Sequence, residues 1–214
     1  MSDDLHRLRQ GSYRLLAAGF DEVAEDFLAI AGDSLAELEG IGLFDYAFGP
    51  QLADALVCFA GSDPRELRAA HVELFEIGVR GEVCSLHESA HLGNPRTGET
   101  ARILAGLCER YGRLGIPATP VGSRLDHLST ELGAMAALCS ASVGCSEDQL
   151  AALLRHQAEF ARDHVLRWAP GLARQLVEIA HHPAYSALGS AALAFLEHER
   201  QHLPMLVDLG TATR

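Results

Sequence analysis

Residues His87-Glu88-Ser89-Ala90-His91 spell H-E-x-x-H. On a helix this pattern sets two imidazoles one turn apart for a zinc ion, with a carboxylate beside them to act as general base. Such a site needs a third protein ligand, and Glu109, on the next expected helix, is available for that role. The surrounding elements argue against it. Gly93-Asn94-Pro95 stops a helix just after the second histidine, which leaves little rigid scaffold for tetrahedral geometry. With 11 histidines in 214 residues, random placement yields the pattern in roughly one chain in twenty-five. The simpler reading is a polar stretch whose residues meet solvent or a ligand.

Other histidines are paired in sequence: His181 with His182, and His198 with His202 at i, i+4. The second spacing can hold a metal on one helix face, but no cysteine or carboxylate partner is evident nearby, and surface histidines are the expectation. All 17 basic residues are arginine, so the chain cannot supply the lysine of a phosphate-binding P-loop. No G-x-S-x-G is present, so nothing points to a nucleophile elbow. The residues therefore suggest no enzyme, no bound cofactor and no metal.

The elements that position these residues are helices. Apolar residues recur at helical spacing almost throughout, whereas period-two alternation with β-branched and aromatic residues is nearly absent. The expected fold class is all-α, a single domain over residues 1–214 built as a bundle of about eight to ten helices with short connections. The first helix is expected from Asp4 to Ala18 and the second from Asp21 to about Ala31. Three start signals follow: Ser34 three before Glu37, Asp63-Pro64-Arg65-Glu66, and Ser146 three before Gln149. The segment from Gly81 to Gly98 is a connector with room for one short helix. Further helices are expected at Glu99 to Leu114, Leu125 to Ala141, Ser146 to Trp168, Leu172 to Ile179 and Tyr185 to His198. Pro170-Gly171 is the expected break between two of them.

Composition narrows the partners. The formal charge is −12, which repels a phosphate backbone and makes nucleic acid an improbable partner; an acidic surface suits a basic one. The opening residues MSDDLHRLRQG have neither the basic nor the apolar part of a secretory signal, and no apolar run reaches the length of a membrane span. The five scattered cysteines, an odd number with no C-x-x-C, suit reduced thiols. A cytoplasmic monomer or homodimer, not inserted in a membrane, is expected.

Three ordered blocks carry a family resemblance. The first runs from His71-Val72-Glu73-Leu74-Phe75 through Cys84-Ser85-Leu86-His87-Glu88-Ser89-Ala90-His91. The second, the most specific, is Leu125-Asp126-His127-Leu128-Ser129-Thr130-Glu131-Leu132, and the third is Phe160 to Pro170 with Tyr185 downstream. Together they resemble the TorD/DmsD/NarJ family of molybdoenzyme-maturation chaperones. Ser123 and Leu125 stand where an acid and a proline often precede Asp-His, Leu86 replaces a loop proline, and His91 an aromatic.

The resemblance implies a chaperone that binds the N-terminal segment of a molybdopterin-containing oxidoreductase catalytic subunit, a twin-arginine signal or a related peptide, until its cofactor is inserted. The expected peptide-binding residues are Phe75, Leu86, His87, Glu88, His91, Asp126, His127 and Glu131. Asp126 and Glu131 would accept from guanidinium groups, while Leu74, Phe75, Leu86 and Leu128 line an apolar trough. Asp126 reads equally well as the N-cap of the helix carrying Leu128 and Leu132. Trp168 and Phe160 read as core anchors. The alternatives are a zinc-dependent hydrolase using residues 87–91, or a helical scaffold with no peptide client.

Overall fold

The computed structural model describes residues 3–21, 34–79, 82–94, 96–115 and 124–212. Helix α1 (Asp3–Gly19) begins with two aspartates, which suit the positive end of a helix, and turns Leu8, Tyr13, Leu15 and Leu16 inward. The helix expected from Asp21 to Ala31 lies, past Asp21, outside the described residues. The described part of α2 is residues 34–40, so Ser34 is already inside the helix and does not cap it. A 3-10 turn at Leu43–Asp45 leads to α3 (Gly49–Ala60) and α4 (Pro64–Val72), which continues as a π-helical turn, Glu73–Ile77. Then come the five-residue α5 (Glu88–Leu92), α6 (Glu99–Arg113), α7 (Leu128–Ala141), α8 (Glu147–Phe160), α9 (Leu166–Ile179) and α10 (Pro183–Ala212). Among the described residues the β contacts are two isolated bridges, Val79 with Glu82 and His87 with His127. The all-α expectation holds. Helix α3 was not anticipated, although Pro50 in its first turn is a start signal.

Two caps form as expected. Asp63 accepts from the Arg65 amide at 2.7 Å, and Ser146 and Gln149 complete a reciprocal capping box, with Gln149 Oε1 accepting from the Ser146 amide at 3.0 Å. Ser146→Ala is expected to lower the free energy of unfolding by about 1 kcal/mol, read as an earlier urea midpoint with unchanged m.

The expected break at Pro170-Gly171 does not occur. The chain runs helically from Glu147 through a π-helical turn, Ala161–Val165, and on to Ile179, with Pro170 inside α9. Proline lacks the N–H that would bond the carbonyl four residues back, that of Leu166. Here Arg200, on α10, donates to that oxygen from Nη2 at 2.9 Å. A side chain on a neighbouring helix thus supplies the missing donor. Helix α10 likewise outruns its expected end at His198 and carries Pro204 within it.

The core lies around α10, which packs against α9, α3, α8 and α1. Its Phe195 meets Tyr13 and Phe48 edge to face at 4.7 and 5.0 Å, and its Tyr185 meets Phe59 and Phe75 at 5.4 and 5.6 Å. Trp168 and Phe160 are buried in the same core, as anticipated. One polar cluster is buried with it. Arg9 of α1 grips Glu199 of α10 through two bonds, Nε to Oε1 at 2.8 Å and Nη2 to Oε2 at 2.7 Å. Its Nη1 donates to Gln157 of α8 at 2.7 Å, and the Tyr13 hydroxyl donates to Glu199 at 2.8 Å. Among the described residues no helix is long and apolar enough to cross a membrane.

Candidate functional site

The second block forms the start of α7, but the cap is His127, not Asp126. His127 is extended and its Nδ1 accepts from the Ser129 amide at 3.2 Å and from the Ser129 hydroxyl at 2.7 Å. Asp126 instead caps a different helix. Its Oδ2 accepts from the Ser89 amide at 3.0 Å, and its backbone carbonyl from the Glu88 amide at 2.8 Å, both in the first turn of α5. Burial alone would raise the Asp126 carboxyl, but hydrogen bonds from His87 and Ser89 outweigh it and hold the group at about 2. Asp126 is therefore an anion, and His87 Nδ1, 3.0 Å away, must be the donor. A further bond, Leu128 amide to Leu86 carbonyl at 2.8 Å, completes the junction. This lattice fixes residues 86–89 against the start of α7.

Beneath the junction two carboxylates face inward. Glu88 and Glu131 are each 0% exposed. Glu88 Oε2 lies 2.9 Å from His164 Nδ1, and Glu131 Oε2 accepts from the Trp168 indole at 3.1 Å. Among the described residues, Oε1 of each is buried with no hydrogen-bond partner. Burial, and next the charge of Glu88, push the Glu131 carboxyl well above the usual carboxylate range. The signal for this arrangement was the Trp in the third block, whose indole needs an acceptor when buried.

His91, at the outer end of α5, stacks on Trp168 with ring centroids 5.0 Å apart and donates from Nε2 to the Ser85 carbonyl at 2.7 Å. Of the eight expected residues, the structure therefore gathers Leu86, His87, Glu88, His91, Asp126, His127 and Glu131 at one junction. Phe75 belongs to a separate aromatic stack with His71, Tyr185 and Phe20. Phe75, Leu86, Asp126 and His127 are buried like the two glutamates; His87 is half-exposed and His91 exposed.

The zinc constellation does not assemble. His87 is extended and precedes α5, so it and His91 do not share a helix face, while Glu88 turns inward and Glu109 pairs with Arg113 on its own helix. Among the described residues no three His, Cys, Asp or Glu side chains converge as a metal-binding group. His198 and His202 stack at 3.9 Å, with His202 Nδ1 on the His198 carbonyl, and His182 accepts from the Ala184 amide at the start of α10.

What the first block offers to solvent is a set of residues the sequence reading did not single out for binding. Val72, Ile77 and Val83 are 38%, 71% and 41% exposed, and Glu73, Glu76 and Glu82, also exposed, are interleaved with them. Beside them is a shallow cleft of about 430 Å³, where Glu66 and Glu73 overlook Ala70, Leu74 and Val79. Glu66 and Glu73 are seven apart, two turns on one helix face, which is the signal that could have found them.

A family model described as nitrate reductase delta subunit matches residues 45–174, a range that holds the junction, the acid pair and the exposed patch. The chaperone protein TorD of Vibrio cholerae serotype O1 strain Classical Ogawa 395 is 32% identical over 84 residues, 39% of this chain and 38% of the relative. That of strain El Tor Inaba N16961 is 33% identical over 82 residues, 38% and 37% of the two chains. The matched segments thus span well under half the length of these relatives.

Proposed function

Because the chain belongs to the nitrate reductase delta subunit family, we propose that it is a cytoplasmic chaperone of TorD type rather than an enzyme. Its client would be the N-terminal segment, a twin-arginine signal or a related peptide, of a molybdopterin-containing oxidoreductase catalytic subunit, held until the cofactor is inserted. The observation that carries this reading is the interleaving of exposed Val72, Ile77 and Val83 with Glu73, Glu76 and Glu82. A peptide that joins guanidinium groups to an apolar run needs carboxylates and apolar surface side by side. Within the proposal, His87 and His91 form the edge of the surface, while Leu86, Glu88, Asp126, His127 and Glu131 hold that edge in place and Phe75 backs the patch from inside.

The test is a fluorescence titration with a labelled peptide carrying two adjacent arginines followed by an apolar run. The expected result is tighter binding than for a scrambled peptide, weakened about fivefold by Glu73→Gln with Glu76→Gln, since exposed pairs contribute up to about 1 kcal/mol. Asp126→Ala, which uncaps α5, is expected to weaken binding as well. If scrambled and authentic peptides bind alike and none of these variants changes affinity, the client reading fails. Stoichiometric zinc in the purified protein, lost in His87→Ala, would replace it with the metal reading.

A further inference from the structure

We infer that the groove between α9 and the C-terminal half of α10 is a second docking surface, made for an acidic polypeptide segment with an apolar face. The groove is an open trough of about 860 Å³, and its floor includes Leu166, Pro170, Leu203 and Val207. Its rim carries Arg162, Arg167, Arg174 and Arg200, all exposed. In a chain of formal charge −12, such a gathering of arginine reverses the sign of the surface locally and draws anions to this face.

The local backbone explains why the trough is open. Pro170 and Pro204 line it from the two helices, and between the arginines Gly171 contributes no side chain; a Cβ there would meet nothing within 4 Å. Most of the rim cations are loosely tied, whereas Arg200 also holds the Leu166 carbonyl. Arg162 pairs with its neighbour Asp163, and Arg174 and Arg200 share Glu197 at 3.3 and 3.6 Å. Exposed pairs of this kind contribute between about 0 and 1 kcal/mol and exchange readily for a better acceptor. Arg167 makes no ion pair among the described residues. Two carboxylates also line the trough: Glu199, whose charge is already matched by Arg9, and Asp208 near one end.

The arrangement of charge selects the occupant. Arg167 and Arg174 are seven residues apart, about 10 Å along α9, so the cations are strung along a rim and do not converge on one point as a phosphate cradle does. Spaced carboxylates flanking an apolar stripe match both rim and floor. This surface has the opposite charge preference to the proposed client site, and stands or falls independently of it. The two meet at α5, whose Leu92 lines the trough and whose His91 stacks on Trp168 beside Arg167.

The test uses the full chain and a fluorescein-labelled amphipathic peptide of about fifteen residues, long enough to span the trough as a helix, with leucines on one face flanked by glutamates. A lysine-flanked copy and ATP serve as controls. Binding of the acidic peptide is expected to weaken as salt rises, to fall about tenfold or more in R167E with R174E, and to be lost in Gly171→Trp, which fills the trough. Gly171 is helical with open space beside it, so that variant is expected to keep its circular dichroism spectrum. Affinity for the twin-arginine peptide is expected to be unchanged in the same variants. The inference is overturned if the lysine-flanked peptide binds as tightly, if the variants leave acidic-peptide affinity unaltered, if ATP displaces the peptide at lower concentrations than unlabelled peptide does, or if the variants abolish both peptides together.

Discussion

Glu199→Ala is expected to lower the free energy of unfolding by about 3–5 kcal/mol, the cost of leaving a buried charge without its partner. Arg9 and Glu199 are each 1% exposed and joined by two hydrogen bonds. Truncating the acid leaves the guanidinium facing only Gln157, and strips the Tyr13 hydroxyl of its acceptor as well. For a domain whose whole stability is of order 5–15 kcal/mol, this brings it close to unfolding at room temperature. Urea denaturation followed by circular dichroism measures the loss. Arg9→Met combined with Glu199→Leu removes both charges and is expected to recover part of it. A loss under about 1 kcal/mol in Glu199→Ala would mean that water reaches the cluster.

Stability is expected to fall as pH drops from 6.5 toward 4, with depressed histidines responsible and one buried glutamate working in the opposite sense. His6 is buried with no partner for either ring nitrogen; burial first, and the Arg9 charge second, push it down to about 4. Burial, then Arg124, push His127 down to about 4. Both depressed histidines contribute stability that is present above 6.5 and lost as pH falls toward 4, because the unfolded chain binds protons that the folded one refuses. His198, also lowered by burial, acts in the same direction. Glu131 has the opposite sign. Its raised carboxyl keeps a proton that the unfolded chain releases, so its contribution is complete below 4.5 and is lost as pH rises through its folded value.

Below pH 6.5 the depressed histidines take up protons on unfolding and stability is expected to decline, an effect that the raised Glu131 carboxyl partly offsets. Glu131→Gln keeps an oxygen for the Trp168 indole and removes the titrating group. With the opposing group gone, the decline on the acid side is expected to steepen. Urea midpoints measured from pH 4.5 to 8.5 decide it; a pH profile unchanged in Glu131→Gln would mean that Glu131 does not titrate with unfolding.

What could be read from the sequence was whatever is decided locally. The capping box at Ser146, the cap at Asp63 and the stop after Leu92 all depend on residues within three or four positions of one another. The Asp126-His127 block was legible as a junction, but its sense was not. Asp126 serves a helix 37 residues away in sequence, and the cap of α7 falls one position later. Glu88 looked like a residue of a polar loop because the group that draws it inward, His164, is 76 positions distant. Pro170 looked like a break because its compensating donor, Arg200, stands on another helix. Arg9 and Glu199 gave no signal, since a charge on an amphipathic helix is ordinarily a solvated one. The exposed patch went unnamed for a different reason: it is spread over the end of α4, the π-helical turn and the segment at Glu82 and Val83, which no single periodicity covers.

The Arg9–Glu199 grip also sets an order of events during synthesis and folding. Its two halves are 190 residues apart, so at 5–20 residues per second it has no partner for roughly 10–40 seconds after Arg9 is made. Closing a loop of that length costs about 2.6 kcal/mol more than closing one of ten residues. The grip is therefore a poor nucleus and a good final stitch. Until α10 arrives, α1 has a guanidinium on the face it must bury, which opposes premature packing of the N-terminal helix against an unfinished core.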